Sequence, residues 1–269
     1  MKAAAVDYIR PATLADALAL LARGDRDARV LAGGQSLVAM MNLRLATPDI
    51  LIDIARLPEL LAVGEDDAAV TFGAGVTHAA IEDGAVPDPS RGLMSRVAAT
   101  LAYRAIRTRG TLGGSLALAD PAAEWPAVLA ALDAEAIVEG QGGRRVLSCA
   151  GFVTGIYETR LAAGEIIVAV RVPKLSAAAR WGYVKLARKS GEFAMSLAVV
   201  VIDPARGYAR AVLGAAGDMP LVLEATSRAC AGGALDPGAI AVDLGDGFDE
   251  FEYGLHTASV QRAVRQALT

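Results

Sequence analysis

Apolar and polar positions alternate in two rhythms along the first two thirds of the chain, and the change from one to the other predicts the elements. Leu14, Leu18 and Leu21 recur at helical spacing between Thr13 and Arg23, which places them on one buried face. Thr13 and Asp16 have the spacing of a capping box at the start of that helix. Strand-like runs flank it at residues 6–10 and 28–32. A second helix is predicted from Ser36 through Leu45, ended by Pro48, and a third strand at Ile50–Ile54. The pattern is a small β-α-β-α-β unit.

A second unit follows. Ala69–Gly73 alternates as a strand, Gly73-Ala74-Gly75-Val76-Thr77 breaks it, and helices are predicted at His78–Asp83, Leu93–Ala105 and Pro121–Leu132. Pro126 fits the last of these only in its first turn or at a kink. Ala136–Glu139 and Arg144–Leu147 form a hairpin around Gln141-Gly142-Gly143, and Glu165–Val172 is a strand ended by Pro173. From Trp181 the texture changes to a meander. Strands Trp181–Arg188, Ala194–Asp203 and Tyr208–Gly214 are separated by turn-sized gaps, and helices follow, the last starting at His256. The chain thus divides into residues 1–55, 56–175 and 176–269.

Composition narrows the chemistry. Hydrophobic residues make up 54% of the chain and aromatics only 5%, so the core is built mainly from small aliphatic groups. A net charge of −4 gives no basic footprint for nucleic acid and no attraction to anionic membranes. Apolar stretches such as Met195–Ile202 are strand-length, too short for membrane insertion. The first residues lack the apolar run of a signal peptide, and a cytoplasmic protein is expected. Cys149 and Cys230 lie far apart and read as buried thiols, not as cluster or disulfide cysteines. His78 and His256 each open a predicted helix, with no acid at catalytic spacing, and receive no role. No metal-ligand set or nucleophile–base pair is present in the pattern.

What remains is a pair of glycine turns. Leu31-Ala32-Gly33-Gly34-Gln35-Ser36-Leu37 joins a strand to a helix, and Thr111-Leu112-Gly113-Gly114-Ser115 repeats the device in the second unit. Consecutive glycines let a ligand approach bare N–H groups, and Ser36 as an N-cap would aim a helix at the same spot. That combination suits phosphate oxygens, and two such turns from different units suit a diphosphate in the crevice between them. Plain tight turns would have the same sequence. Neither turn is a Walker loop or a G-x-G-x-x-G fingerprint. Glu124 can accept from a ribose or base, or stand exposed in a first helical turn. Lys185 can neutralise an anion or lie on a solvated strand face. Phe193 can stack on a flat ring or sit in the core. Arg107 and Arg109 flank the second turn and can pair with phosphate or form surface salt bridges.

Read together, these stretches resemble the FAD-binding medium subunit of molybdenum hydroxylases, the group that includes aerobic carbon-monoxide dehydrogenase, nicotine dehydrogenase and the flavin portion of xanthine dehydrogenase. The resemblance rests on Ala32–Leu37 with Asn42–Leu45, Ile106–Ser115 with Ala119–Glu124, Gly164–Ile167 with Val172-Pro173, and Tyr183–Lys185 with Gly191–Ala194. It implies an α+β architecture: a two-subdomain FAD-binding fold of the vanillyl-alcohol-oxidase/PCMH type, plus a C-terminal three-stranded antiparallel sheet with helices.

It also implies that Leu31–Leu37, Thr111 and Gly113–Ser115 hold the FAD diphosphate through amides and hydroxyls. Glu124 stands where the family usually has Asp. Lys185 would sit by the flavin and Phe193, where relatives often have Tyr, would pack near its ring. Leu101 and Ile167 would be apolar contacts. The implied function is electron transfer from [2Fe–2S] clusters on a small partner subunit, through FAD, to an external acceptor. A large partner subunit carries the molybdenum cofactor, and the assembly is a dimer of heterotrimers. The alternatives are a self-contained flavin oxidase of the same fold class and a binding protein that has lost FAD. Valine at both Gly33 and Gly113 is expected to abolish flavin retention while the chain still folds.

Overall fold

The computed structural model describes residues 2–269. Three larger sheets follow one another along the chain, and a fourth has only two strands. The first is parallel: β1 (Asp7–Ile9), α1 (Leu14–Leu21), β2 (Ala28–Leu31), α2 (Leu37–Asn42) and β3 (Ile50–Asp53), with strand order β1-β3-β2. The Thr13–Asp16 capping box is formed. Leu14, Ala17 and Leu18 of α1 pack on Ile52 and Ile54. α2 ends at Asn42 rather than Leu45 because Arg44 turns left-handed, at φ 57°, and Leu45 N–H closes back on the Met40 carbonyl at 2.9 Å.

The second sheet is antiparallel and collects strands distant in sequence. Its elements are α3 (Pro58–Leu61), β4 (Val63–Glu65), β5 (Ala69–Gly73), α4 (His78–Glu82), α5 (Leu93–Thr100), α6 (Arg104–Arg107), α7 (Leu112–Leu118), α8 (Glu124–Ala131), β6 (Glu135–Gly140) and β7 (Gly143–Ser148). A small hairpin, β8 (Val153–Gly155) and β9 (Glu158–Thr159), leads to β10 (Ile166–Pro173). The order is β4-β5-β10-β6-β7, so the late strand β10 fills the centre. The helix expected over Leu93–Ala105 is two, broken at Leu101–Tyr103 where Ala102 has φ 35°. No glycine or proline marks that break, which is why periodicity ran through it. α8 is buried along its whole length, with Pro126 in the first turn where its missing N–H costs nothing.

The third sheet comprises β11 (Arg180–Leu186), β12 (Ser196–Asp203), β13 (Tyr208–Gly214) and β14 (Leu221–Val222), followed by α9 (Glu224–Ala231), α10 (Pro237–Leu244) and α11 (Glu250–Leu268). It has four strands, not three: the two-residue β14 pairs with Val212 and Leu213, a strand too short to leave a period-two signature. α11 begins at Glu250 behind an Asp249–Glu252 capping box, so His256 lies within the helix instead of opening it. Every residue of β12 is buried, because α11 packs on one side and the α8 layer on the other. The main core crosses from the second sheet to the third: Val70, Trp125, Val170, Leu197 and Val199 belong to one cluster.

Candidate functional site

β2 ends at Leu31 and hands the chain to the first glycine turn, which lies directly against the second. A side chain at Gly33 would begin 2.1 Å from the Arg109 carbonyl oxygen and 2.9 Å from the Gly110 Cα. One at Gly114 would begin 3.9 Å from the Ala32 Cβ. Gly34 has φ 73°, a left-handed conformation that favours glycine. The sequence expectation that the two turns converge is met in this respect. A depression of about 390 Å³ opens beside them, lined by Leu31, Gly33, Gly34, Gln35, Val38, Ala39 and Asn42 from the first turn and α2, and by Arg109 from the second turn.

The backbone amides are divided unevenly. In the second turn they are used internally: Leu112 N–H donates to the Val76 carbonyl at 2.9 Å and Gly113 N–H to Ala74 at 2.9 Å. Gly114 N–H donates to the Thr111 hydroxyl at 3.0 Å and Ser115 N–H to the Thr111 carbonyl at 3.0 Å. Buried N–H groups are almost always paired, and these four have no capacity left for a ligand. In the first turn the N–H groups of Gly33, Gly34, Gln35, Ser36 and Leu37 donate to no protein acceptor among the described residues. The Gln35 side chain instead donates to the Gly33 carbonyl at 2.9 Å, which closes the turn on itself. Successive N–H groups without protein partners are the raw material of an anion-binding concavity. Ser36 makes no side-chain cap and α2 has six residues, so the turn amides, not a capped helix end, carry the positive potential.

Two corrections follow. The expectation that both turns offer amides to a diphosphate leaves residues 33–37, whose N–H groups have no protein acceptor among the described residues, as the candidates, and fails for 112–115, whose amides Ala74, Val76 and Thr111 already occupy. The double-valine expectation fails at Gly113, where a side chain would begin 2.4 Å from the Ala74 Cβ and 2.8 Å from its carbonyl oxygen. That position is a packing contact on the buried face of α7, and valine there is expected to disturb the fold itself.

Glu124 and Lys185 come together. Lys185 Nζ donates to Glu124 Oε1 at 2.6 Å and to the Thr100 carbonyl at 3.2 Å, with side chains only 8% and 4% exposed. The readings of Glu124 as an exposed helix-terminal acid and of Lys185 as a solvated strand residue are both overturned by this burial. Burial raises the Glu124 carboxyl above its ordinary range, and the Lys185 ammonium opposes that rise without cancelling it. Thr100 also meets the Tyr183 hydroxyl at 2.9 Å, so α5, α8 and β11 are joined at one polar point.

Leu101 and Ile167 are buried in the main core. Phe193 is 60% exposed on the loop after β11, which removes the core-aromatic reading. Arg107 is committed to Glu82 at 2.7 Å and to the Leu101 carbonyl at 2.8 Å, as a structural ion pair. Arg109 has no acid within ion-pair reach among the described residues and remains free at the depression.

Sequence reasoning gave His78 no role, yet it is buried beside the second turn. Its Nδ1 accepts from Trp125 Nε1 at 3.1 Å, and the backbone N–H of the same residue donates to the Gly110 carbonyl at 2.9 Å. The signal available was slight: one of two histidines and one of two tryptophans, far apart in the chain. Burial, and secondarily the nearby Arg107 charge, lower the His78 pKa from 6.5 to about 4. A group whose pKa is depressed by folding stabilises fully above its unfolded pKa and loses that contribution as pH falls through the folded one. Stability from His78 is therefore expected to decline between pH 6.5 and pH 4, by on the order of 3 kcal/mol. Urea midpoints measured across that range should fall more steeply for the natural chain than for His78→Asn. Parallel pH profiles would count against it.

Residues 4–175 match the family described as FAD binding domain in molybdopterin dehydrogenase. The nicotine 6-hydroxylase medium subunit of Paenarthrobacter nicotinovorans is 41% identical over 205 residues, 76% of this chain and 71% of that protein. The caffeine dehydrogenase subunit beta of Pseudomonas sp. (strain CBB1) is 37% identical over 232 residues, 85% of this chain and 79% of the other. Among solved structures, a chain of the reconstituted CO dehydrogenase from Oligotropha carboxidovorans superposes with a TM-score of 0.90 at 32% identity, covering 100% of this chain and 99% of that one.

Proposed function

The chain belongs to the family of FAD-binding domains in molybdopterin dehydrogenases, and from that premise we propose that it is the electron-transferring flavin subunit of a molybdenum hydroxylase. It is an oxidoreductase subunit that carries FAD. The observation that carries the reading is the run of N–H groups from Gly33 to Leu37 that have no protein acceptor among the described residues, with Gly33, Gly34 and Gln35 lining the depression together with the unpaired Arg109. A diphosphate needs such donors and cations together. The fit is also steric: only glycine at residue 33 lets the first turn lie this close to the Arg109–Gly110 backbone, which keeps Arg109 beside the first turn.

On this reading Gly33–Ser36 bind the diphosphate through N–H groups, and Arg109 supplies the balancing charge. Glu124 and Lys185 hold the third sheet against the cofactor subdomains. Phe193, already presented to solvent, gives a flat apolar face for the ring, while Leu101 and Ile167 form the apolar wall behind it. Bound FAD supplies the ability to take up electrons singly and release them in pairs. The protein's part is to position the cofactor and set its electrostatic surroundings.

The three sheets then correspond to two cofactor-holding subdomains, residues 1–55 and 56–175, and a closing domain, 176–269. The relatives are named as subunits or medium chains, which supports a place beside a large molybdenum-cofactor subunit and a small [2Fe–2S] subunit, assembled as a dimer of heterotrimers. Cys149 and Cys230 lie buried in separate cores, which supports placing the clusters on the partner. Electrons enter from those clusters and leave to an external acceptor.

Co-expression of the chain with the products of neighbouring genes is expected to give one co-eluting complex with both flavin and iron–sulfur absorption. A chain that elutes alone without a flavin band would overturn the reading. A flavin-bearing chain that oxidises an organic substrate unaided would favour the self-contained oxidase.

A further inference from the structure

His78 is a buried titratable residue to which the proposed reading gives no task, although it touches the second glycine turn in two ways. Its backbone N–H donates to the Gly110 carbonyl at 2.9 Å, a main-chain contact independent of the ring. Its ring edge, Nε2 and Cδ2, stands 2.8 Å from the point where a side chain at residue 110 would begin. Gly110 in turn presents its Cα 2.9 Å from the corresponding point on Gly33. The imidazole, the second turn and the first turn are thus stacked in series, with no side chain between them to absorb a shift.

The ring itself has little freedom. Trp125 Nε1–H can only donate, so its partner His78 Nδ1 must carry a lone pair, and the neutral ring keeps its hydrogen on Nε2. Trp125 is fully buried and follows Glu124, which Lys185 anchors at 2.6 Å. Arg107 faces the imidazole as a like charge to any added proton and is itself held by Glu82, so the neutral form is favoured from this side too. One tautomer and one ring orientation result, and the fixed ring edge limits how closely Gly110 can pack against it.

We propose that His78, fixed by Trp125, is a positioning residue that sets the second glycine turn against the first and thereby sets the affinity of the site for the FAD diphosphate. The inference rests on the FAD reading of the site. His78 touches the turn and not the ligand. Its effect on FAD runs through the placement of Arg109 and Gly110 beside the free amides of Gly33 and Gly34.

Three variants of the full chain test it. Trp125→Phe keeps most of the ring and removes the donor. His78→Leu removes the acceptor, and His78→Asn puts a carbonyl oxygen close to where Nδ1 lies. FAD dissociation constants, measured by quenching of flavin fluorescence, are expected to rise about tenfold in the first two, the scale of one buried hydrogen bond. They should stay within about threefold of the natural chain in His78→Asn. Amide exchange in peptides spanning residues 106–112 is expected to speed up in Trp125→Phe and His78→Leu and to be restored in His78→Asn, with or without FAD. Unchanged FAD affinity together with unchanged exchange at the turn would overturn the proposal. So would losses in all three variants that merely track their melting temperatures. A natural chain that binds no FAD would instead overturn the flavin reading, while the exchange arm would still decide whether His78 places the turn.

Discussion

Replacing Lys185 with methionine is expected to destabilise the protein by about 3–5 kcal/mol, the cost of leaving one partner of a buried ion pair without the other. The reason is the depth of the contact: Glu124 and Lys185 are 4% and 8% exposed, and the ammonium also donates to the Thr100 carbonyl. Methionine fills the space but leaves a carboxylate in an apolar surround with no cation. For a chain of this size the loss corresponds to a fall in Tm on the order of 10 °C. The sign of its pH dependence follows from Glu124, whose carboxyl is already raised by burial against the pull of Lys185. With the lysine gone that rise is unopposed, so the folded variant gains a proton more readily than the unfolded chain. Its deficit should therefore be largest above the folded pKa of Glu124 and should shrink as pH falls towards the ordinary carboxylate range. Glu124→Leu added to Lys185→Met should recover stability to within about 1 kcal/mol, since an apolar pair has no charge to desolvate. Urea denaturation of the two singles and the double closes the cycle. Single losses below about 1 kcal/mol would mean that the pair behaves as an exposed one.

This pair also marks where the sequence was legible and where it was not. The parallel first sheet, the β6–β7 hairpin and the meander β11–β13 follow directly from periodicity and turn residues, because each is local. β10 could be seen as a strand, but its place between β5 and β6 could not, since nothing in a strand's own pattern names its neighbours. The same holds for the site. Both glycine turns were visible as motifs, and their mutual contact was expected. What distinguishes them is the hydrogen-bond accounting: Ala74 and Val76 consume the amides of the second turn, and only the folded chain reveals those partners. Glu124 and Lys185 were each assigned a ligand role in isolation. Their separation along the chain hid that they face each other first. Phe193 went the other way, because base rates favour a core aromatic and only the loop after β11 shows it turned outward.

The second large effect is expected at Gly33. Alanine there adds one methyl group, yet that methyl would stand 2.1 Å from the Arg109 carbonyl oxygen and 2.7 Å from its carbonyl carbon. Both are backbone atoms, and they cannot turn aside as a flexible side chain can. The contact is relieved only by parting the two turns, which withdraws Arg109 from the amides of Gly33–Leu37 that would share the anion with it. FAD affinity is expected to fall at least a hundredfold, on the order of 3 kcal/mol. Gly34→Ala is the internal comparison. Its methyl would meet the ends of Leu31 and Val38 at 3.2 Å, contacts that can yield, and the left-handed φ adds roughly 1–2 kcal/mol of strain. It should weaken FAD binding less than Gly33→Ala while costing more stability. Gly113→Ala separates the two roles, since its methyl strikes the Ala74 Cβ and backbone within the second unit: it should lower Tm before it lowers affinity. Equilibrium titration with FAD and thermal melts of the three single variants give the ranking. If Gly33→Ala retains FAD as the natural chain does, the anion is not held by the first-turn amides together with Arg109, and the site lies elsewhere.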